Sequence, residues 1–215
     1  MTTALLVIHD VGDPRAGSRW TELTQAWPGP ALAPDLPGHG ETPPPTGASY
    51  APGDAAFHAD QALQQAGLAD SDVCVLGHGW GGFAAEFLAA AGRAARLVLV
   101  DGLGPPWCSV EELVADQHRW LRGTFADPAA LAPPRGAPDP RLARGLWSIW
   151  EHGFIAGLRA AIAVPVLAIE TPASQTPPDA RTERLGDYAG PATLVEIDAP
   201  GAVAVTAALR GAGWL

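Results

Sequence analysis

Short apolar runs alternate with longer stretches of helical spacing along most of the chain, and this alternation constrains the fold more than any other feature. Aliphatic runs bounded by Gly, Pro and Asp are typical of strands buried on both faces of a parallel sheet, whose crossover connections are helices. Six runs have this character: Leu5–His9, Ala31–Asp35, Val73–Gly77, Leu97–Asp101, Val166–Glu170 and Thr193–Asp198. Helical spacing appears at Asp54–Gly67 and Trp80–Ala91. The sequence therefore predicts an α/β fold with a mostly parallel sheet of about six strands and helices on both faces.

The pattern changes between residues 103 and 163, where no strand is evident and four of the eight Trp residues occur. We expect one domain over residues 1–215, with residues 103–163 forming a reduced helical lid. The lid tryptophans are Trp107, Trp120, Trp147 and Trp150. Aromatic rings dominate cores and ligand sites alike, so these side chains either close the lid over the sheet or line a pocket.

Composition excludes several classes of function. With 13 basic and 23 acidic residues, the net charge of −10 argues against a general nucleic-acid binder, whose affinity would come from Lys and Arg on phosphates. There is no His-x-x-x-His or paired-Cys spacing, and the glycines of residues 77–82 lack the context of a dinucleotide fingerprint. We therefore expect no metal and no cofactor. The absence of Lys and Asn, with abundant Ala, Gly and Pro, indicates a GC-rich genome.

Location is predicted from the apolar segments. The first residues carry no positive charge before their apolar run, so no signal peptide is expected. The apolar stretch over residues 154–169 is interrupted by Arg159 and Pro165 and is shorter than the ~20 residues that span a bilayer. A cytoplasmic protein without membrane association is predicted.

Three segments, in this order, carry a resemblance to a known family. Residues 5–12 (LLVIHDVG) end an apolar run in a His-containing loop, residues 33–42 (APDLPGHGET) form an Asp-x-x-Gly-x-Gly loop, and residues 75–82 (VLGHGWGG) form a strand-to-helix turn. Together they resemble the α/β-hydrolase superfamily. The resemblance implies that the third segment is the nucleophile elbow, whose central residue attacks the substrate.

The catalytic positions of that family are degenerate in this chain. The elbow centre, where relatives carry Ser, Cys or Asp, is Gly79, which has no side chain. The resemblance places the acid near Ser174 and the base at Ala202, and no His follows His152 anywhere in the sequence. All three triad members are therefore predicted to be missing, so ordinary serine-hydrolase chemistry is not expected.

The oxyanion hole also departs from the family pattern. The resemblance assigns its donors to the backbone N–H groups of Val11 and Trp80. Asp10 stands where relatives usually have Gly. A carboxylate beside the hole would repel a developing oxyanion, which is a second argument against acyl transfer.

Acid–base chemistry would need other residues. The candidates are Asp10, His78, Asp101, His118 and Glu151. An imidazole near a carboxylate can titrate near neutrality, which is why His118 and Glu151 in the lid are included. His9 and His39 fall where the family commonly has a loop-organising His, so a structural role is expected for them.

These observations leave three functions open. The first is a pseudoenzyme that binds a small, largely apolar molecule beneath the lid, with Val11, Gly79, Trp80 and the lid tryptophans as contacts; a protein partner or a homo-oligomer is also possible. The second is a cofactor-free lyase, isomerase or cyclase that uses the acid–base candidates. The third is an atypical esterase. Two acid–base candidates within hydrogen-bond reach of each other would favour the second function, and an entirely apolar cavity would favour the first.

Overall fold

The computed structural model describes residues 3–13, 15–43, 51–104 and 152–215, with the backbone alone for residues 152 and 153. Six strands form one sheet in the order β2-β1-β3-β4-β5-β6, and every neighbouring pair is parallel. The strands are β1 (Ala4–Ile8), β2 (Ala31–Leu32), β3 (Val73–His78), β4 (Arg96–Val100), β5 (Val166–Glu170) and β6 (Ala192–Glu196). The predicted fold class is confirmed.

Helices join and cover the strands. A 3₁₀ helix (Ala16–Trp20) precedes α1 (Thr21–Ala26), and the other helices are α2 (Pro52–Gln65), α3 (Gly81–Ala90), α4 (His152–Ala160), α5 (Pro178–Leu185) and α6 (Ala202–Gly211). Helix α2 starts two residues before the predicted Asp54, because Pro52 lies in the first turn, where no N–H is needed. Among the helices of the described ranges, none has the length and apolar character needed to cross a membrane.

Strand β2 is shorter than predicted. It ends at Leu32, although the sequence favoured a strand to Asp35. Pro34 has no N–H to donate to a ladder. The carboxylate of Asp35 instead accepts hydrogen bonds from the backbone N–H groups of Gly17 (2.9 Å) and Glu41 (3.3 Å), which makes this segment a loop.

The sheet is buried on both faces, as its continuous apolar strands predicted. On one face, Leu6, Ile8 and Val75 pack in a core with residues of α2 and α3. On the other face, Leu5 and Val7 pack with Trp20 and with residues of α1 and α6. This arrangement fixes the carboxyl ends of the strands at one edge of the sheet, and residues that follow those strands converge there.

Chain order reverses direction at β1. Its two neighbours are β2 and β3, so the connections after β1 and after β2 leave the sheet on opposite sides. A crevice forms outside the carboxyl ends of the strands at such a switch point, and ligands of open α/β sheets bind there. The residues directly after β1 and β3 are the Asp10 loop and the Gly79 turn.

Candidate functional site

A cavity of about 340 Å³ lies at this switch point. Its volume is in the range of small-molecule sites. The described residues that line it are Asp10, Val11, His78, Gly79, Trp80, Asp101, Gly104, Ala173, Ser174, Gln175 and Pro200. The structure thus brings together the predicted contacts Val11, Gly79 and Trp80 with three of the five acid–base candidates.

The turn between β3 and α3 has the geometry expected of a nucleophile elbow. Gly79 has a φ of +53°, in the left-handed region, and its N–H donates to the carbonyl of Val100 at 2.8 Å. At Gly81, an added Cβ would lie 2.4 Å from the carbonyl oxygen of Ile8, so the helix can approach β1 only with glycine there. The backbone of the elbow is present, but no nucleophile is attached to it.

The carboxylate of Asp10 lies across this turn and takes both predicted oxyanion-hole donors. Its Oδ1 accepts hydrogen bonds from the backbone N–H of Val11 at 2.9 Å and of Trp80 at 2.8 Å. A Cβ on Gly79 would lie 2.5 Å from the Cγ of Asp10, well inside van der Waals contact. The carboxylate therefore fills the space that a side chain at position 79 would need.

Burial raises the pKa of Asp10, and the two N–H donors oppose that rise by favouring the ionised form. Asp13 also raises the pKa, while Arg19 lowers it. The site thus holds a carboxyl group that takes up a proton more readily than an exposed Asp.

Two buried histidines hold the loop that carries Asp10. His9 Nε2 accepts the N–H of Leu36 at 3.0 Å, so its Nδ1 carries the proton that it donates to the Asp10 carbonyl at 2.7 Å. His39 Nε2 accepts the N–H of Gly12 at 2.8 Å and Nδ1 bonds the Pro37 carbonyl at 3.1 Å. Burial lowers both pKa values, that of His9 to about 4. Both rings are neutral and have the structural role expected for them.

The positions that the resemblance assigns to the acid and the base are Ser174 and Ala202. The Ser174 hydroxyl donates to the Glu170 carboxylate and accepts the N–H of Thr176 at 3.0 Å. Ala202 is the first residue of α6, is 5% exposed and packs in the apolar core. One side chain is a hydroxyl engaged with Glu170 and the other is a methyl group, so neither is a carboxylate or an imidazole.

Asp101 directly follows β4 beside the cavity, with a φ of +48°. Its two carboxylate oxygens accept hydrogen bonds from the backbone N–H of Thr171 at 2.7 Å and from the Thr171 hydroxyl at 2.9 Å. Thr171 was not identified from the sequence, because its role depends on two strands 70 residues apart becoming neighbours. Asp101 therefore ties the end of β4 to the end of β5.

His78 is 7% exposed and lies edge-on to the ring of Trp20, with 5.4 Å between ring centroids. Its Nδ1 is buried and has no hydrogen-bond partner among the described residues. Burial, with a smaller contribution from the charge of Arg19, lowers the pKa of His78 to about 4. None of the hydrogen bonds described at Asp10, His78 and Asp101 joins one of these residues to another. These three therefore do not form the hydrogen-bonded pair that would favour the second function.

The remaining predicted site residues fall outside the described ranges. These are His118, Glu151, Trp107, Trp120, Trp147 and Trp150. The expectation of a largely apolar ligand rested on those tryptophans. The described wall of the cavity carries carboxylate, imidazole, hydroxyl and amide groups beside apolar side chains, which are those of Val11, Trp80, Ala173 and Pro200.

A buried ionic cluster, also not identified from the sequence, positions the wall at Gly104. Arg159 and Glu86 are both 0% exposed and form an ion pair at 2.8 Å. Arg159 also donates to the Leu103 carbonyl at 3.0 Å, and Arg184 donates to the carbonyls of Leu103 and Gly104. The signal available in the sequence was one Arg within the apolar face of α4. Within the described ranges, no group of three or more His, Cys, Asp or Glu residues is arranged to hold a metal ion.

Comparison with known proteins agrees with this fold. The Alpha/beta hydrolase family matches residues 5–212. The thioesterase domain from the curacin biosynthetic pathway is 19% identical, with a TM-score of 0.73 over 98% of this chain and 90% of that domain. A thermophilic esterase from Thermogutta terrifontis is 19% identical, with a TM-score of 0.69 over 97% of this chain and 88% of the esterase. A haloalkane dehalogenase variant from Bradyrhizobium elkanii is 18% identical, with a TM-score of 0.64 over 99% and 90% of the two chains.

At these identities, the solved structures show a shared fold and nothing more. No curated protein matches the chain. The family match covers nearly the whole chain, and the parallel sheet and the elbow turn agree with it. The chain therefore belongs to the Alpha/beta hydrolase family.

Proposed function

We propose that this chain is a non-hydrolytic member of its family that binds a small molecule in the cavity at the carboxyl edge of the sheet. The observation that carries the proposal is the contact of Asp10 Oδ1 with the backbone N–H groups of Val11 and Trp80. In acyl transfer these donors must be available for the oxygen that becomes negative in the transition state. Here an internal carboxylate already engages them.

Two further features support this proposal. A nucleophile side chain at position 79 would collide with the Asp10 carboxylate. The two departures from the family pattern, Gly at position 79 and Asp at position 10, are therefore sterically compatible with each other and are not independent losses. No imidazole follows His152 in the sequence, and the matching position, Ala202, is an apolar core residue. Hydrolysis by a rebuilt triad would require several simultaneous changes.

Hydrolysis is tested directly with p-nitrophenyl acetate and butyrate. Wild-type protein is expected to give no turnover above the rate at which these esters hydrolyse in buffer without protein. A rebuilt variant, Asp10→Gly with Gly79→Ser, Ser174→Asp and Ala202→His, is expected to gain turnover. Steady-state ester hydrolysis by the wild type, abolished by Asp10→Asn, would refute the non-hydrolytic proposal.

Binding is tested by a thermal-shift screen of small molecules against two variants. Ala173 is exposed at the cavity wall, so Ala173→Trp narrows the cavity; Ala207 is exposed on α6, so Ala207→Trp is the matched control. A ligand at a hundred times its Kd stabilises the protein by about 2.7 kcal/mol. Ligands of the cavity are expected to raise the Tm of wild type and Ala207→Trp and to lose this effect in Ala173→Trp. Ligands that shift all three proteins equally would contradict the assignment of the site.

A second candidate function, proton transfer by Asp10, is favoured by one observation: this carboxyl group has a raised pKa and lines the cavity. A general base works best when its pKa approaches the working pH. The probe is 5-nitrobenzisoxazole, from which a base removes the ring C–H proton as the N–O bond breaks to give a coloured phenolate. If wild-type protein opens this ring and Asp10→Asn does not, catalysis is favoured over binding. Equal rates in wild type and Asp10→Asn would exclude Asp10 as the base.

A further inference from the structure

The described wall of the cavity is acidic. Two carboxylates, Asp10 and Asp101, line it, and none of its described residues is Lys or Arg. Arg19, which acts on Asp10 through space, forms its own ion pair with Asp13 at 2.6 Å. The chain as a whole carries a net charge of −10. A cleft with low-dielectric walls and one sign of charge attracts ligands of the opposite sign.

The two carboxylates differ in their capacity for a ligand. Both oxygens of Asp101 are engaged by Thr171. Asp10 accepts both of its hydrogen bonds on Oδ1, and no donor among the described residues reaches Oδ2. A carboxylate has about four acceptor positions, so Asp10 retains strong acceptor capacity at Oδ2.

A second, independent feature is His78. Its side chain is 93% buried and lines the same cavity, yet its Nδ1 has no hydrogen-bond partner in the described part of the chain. Buried polar side chains are nearly always hydrogen-bonded, so such an exception needs a physical account. The ring is neutral near pH 7, since burial disfavours its charged form, and it adds no positive charge to the cavity. A neutral imidazole carries one lone pair that accepts a hydrogen bond.

From this combination, and resting on the proposed function above, we infer that the cavity binds a small organic cation whose ammonium group is held by the free oxygen of Asp10 beside the neutral ring of His78. An ammonium group has three N–H donors and no acceptor. It therefore suits a wall whose described residues offer acceptor oxygens and include no Lys or Arg. Its hydrogen bond to a carboxylate is charge-assisted and about twice as strong as a neutral one. An anionic ligand would meet two carboxylates and, in the described wall, no compensating Lys or Arg side chain.

The experiment compares three probes with the same carbon frame: 2-phenylethylamine, 2-phenylethanol and phenylacetate. Titration calorimetry at pH 8 is expected to give an amine affinity at least about tenfold above that of the alcohol, with the carboxylate weakest. Added salt should reduce the preference for the amine, because screening weakens charge interactions. This comparison uses wild-type protein and needs no variant to fold.

Variants then locate the preference. Asp10→Asn keeps an acceptor oxygen for Val11 and Trp80 but removes the charge, so the amine and alcohol affinities should become equal within about threefold. Asp70→Asn, which removes one exposed carboxylate, is the matched control and should keep the wild-type preference.

The outcomes separate the two claims. Alcohol or phenylacetate binding as tightly as the amine, with loss in Ala173→Trp, would overturn the cation inference and leave the binding site standing. A preference that persists in Asp10→Asn would also overturn it. Failure of all three probes to bind would overturn both the cation inference and the proposed site.

Discussion

Replacement of Gly79 by Ala tests the central feature of the site, the mutual exclusion of a side chain at position 79 and the Asp10 carboxylate. The added Cβ would lie 2.5 Å from the Cγ and Oδ1 of Asp10 and 2.7 Å from Oδ2. Overpacking of this kind costs about 1–3 kcal/mol. The φ of +53° adds about 1–2 kcal/mol for any residue with a Cβ. Gly79→Ala should therefore destabilise the fold by about 2–5 kcal/mol.

A double-mutant cycle separates the two contributions. In an Asp10→Ala background the carboxylate is gone, so Gly79→Ala should cost only the backbone strain of about 1–2 kcal/mol. The coupling free energy between the two positions is then about 1–3 kcal/mol. Gly92→Ala is the control, because Gly92 has a φ of +75° and nothing within 4 Å of an added Cβ. Its cost measures the strain without the clash.

Urea unfolding of the four proteins of the cycle and of the control supplies the free energies, provided that the m-value stays constant. The reasoning is refuted if Gly79→Ala costs the same in both backgrounds within about 0.5 kcal/mol, which is the limit of ordinary additivity. It is also refuted if Gly79→Ala costs no more than Gly92→Ala. Either result would mean that the carboxylate does not occupy the space beside Gly79.

Two further predictions concern stability. The pKa values of His9 and His78 are about 4 in the folded protein and 6.5 in the unfolded chain, so the unfolded chain alone takes up protons as the pH falls below 6.5. The contribution of each neutral ring to the free energy of unfolding should be fully present above that pH and should decrease towards pH 4, with a loss of about 2 kcal/mol per ring at pH 5. Buried carboxyl groups with raised pKa values should offset part of this loss. Urea unfolding of His78→Phe at pH 7.5 and 5 should show a pH-dependent loss smaller by about 2 kcal/mol than wild type, and an unchanged loss would contradict the assignment. Arg159→Met leaves the carboxylate of Glu86 buried without its cation and should cost about 3–5 kcal/mol, part of which Glu86→Met should restore in the double variant. If Arg159→Met were as stable as wild type, the ion pair would not contribute to holding α4, which carries Arg159, against α3, which carries Glu86.

The sheet was predictable from the sequence because each strand is a continuous apolar run. The bounds of β5 agree with the predicted Val166–Glu170, and the other long strands differ by one or two residues at their ends. Strand β2 was the exception, since Pro34 and the hydrogen bonds of Asp35 end it after two residues. Strand length there depends on a loop contact with the 3₁₀ helix, which local sequence does not reveal.

Part of the candidate site was also predictable, because it depends on residue identity at recognisable positions. The resemblance to the α/β-hydrolase family singled out Gly79, Ser174 and Ala202, and it also implied the loop roles of His9 and His39. The clamp of Asp101 by Thr171 and the ionic cluster of Glu86 and Arg159 were missed. Their partners lie 70 and 73 residues apart in the chain, so no periodicity or spacing connects them.

The sequence by itself determined that this chain forms a parallel α/β sheet and that no side chain extends from the elbow centre, since apolar patterning and residue identity carry that information. The tertiary structure alone decided what occupies the vacated space. Asp10 and Gly79 each read as a separate departure from the family until folding places β1 beside β3, where the carboxylate takes the N–H groups of Val11 and Trp80. The physical reason is that a buried backbone N–H group needs an acceptor, and the carboxylate that accepts from the N–H of Trp80 is 70 residues away in the sequence.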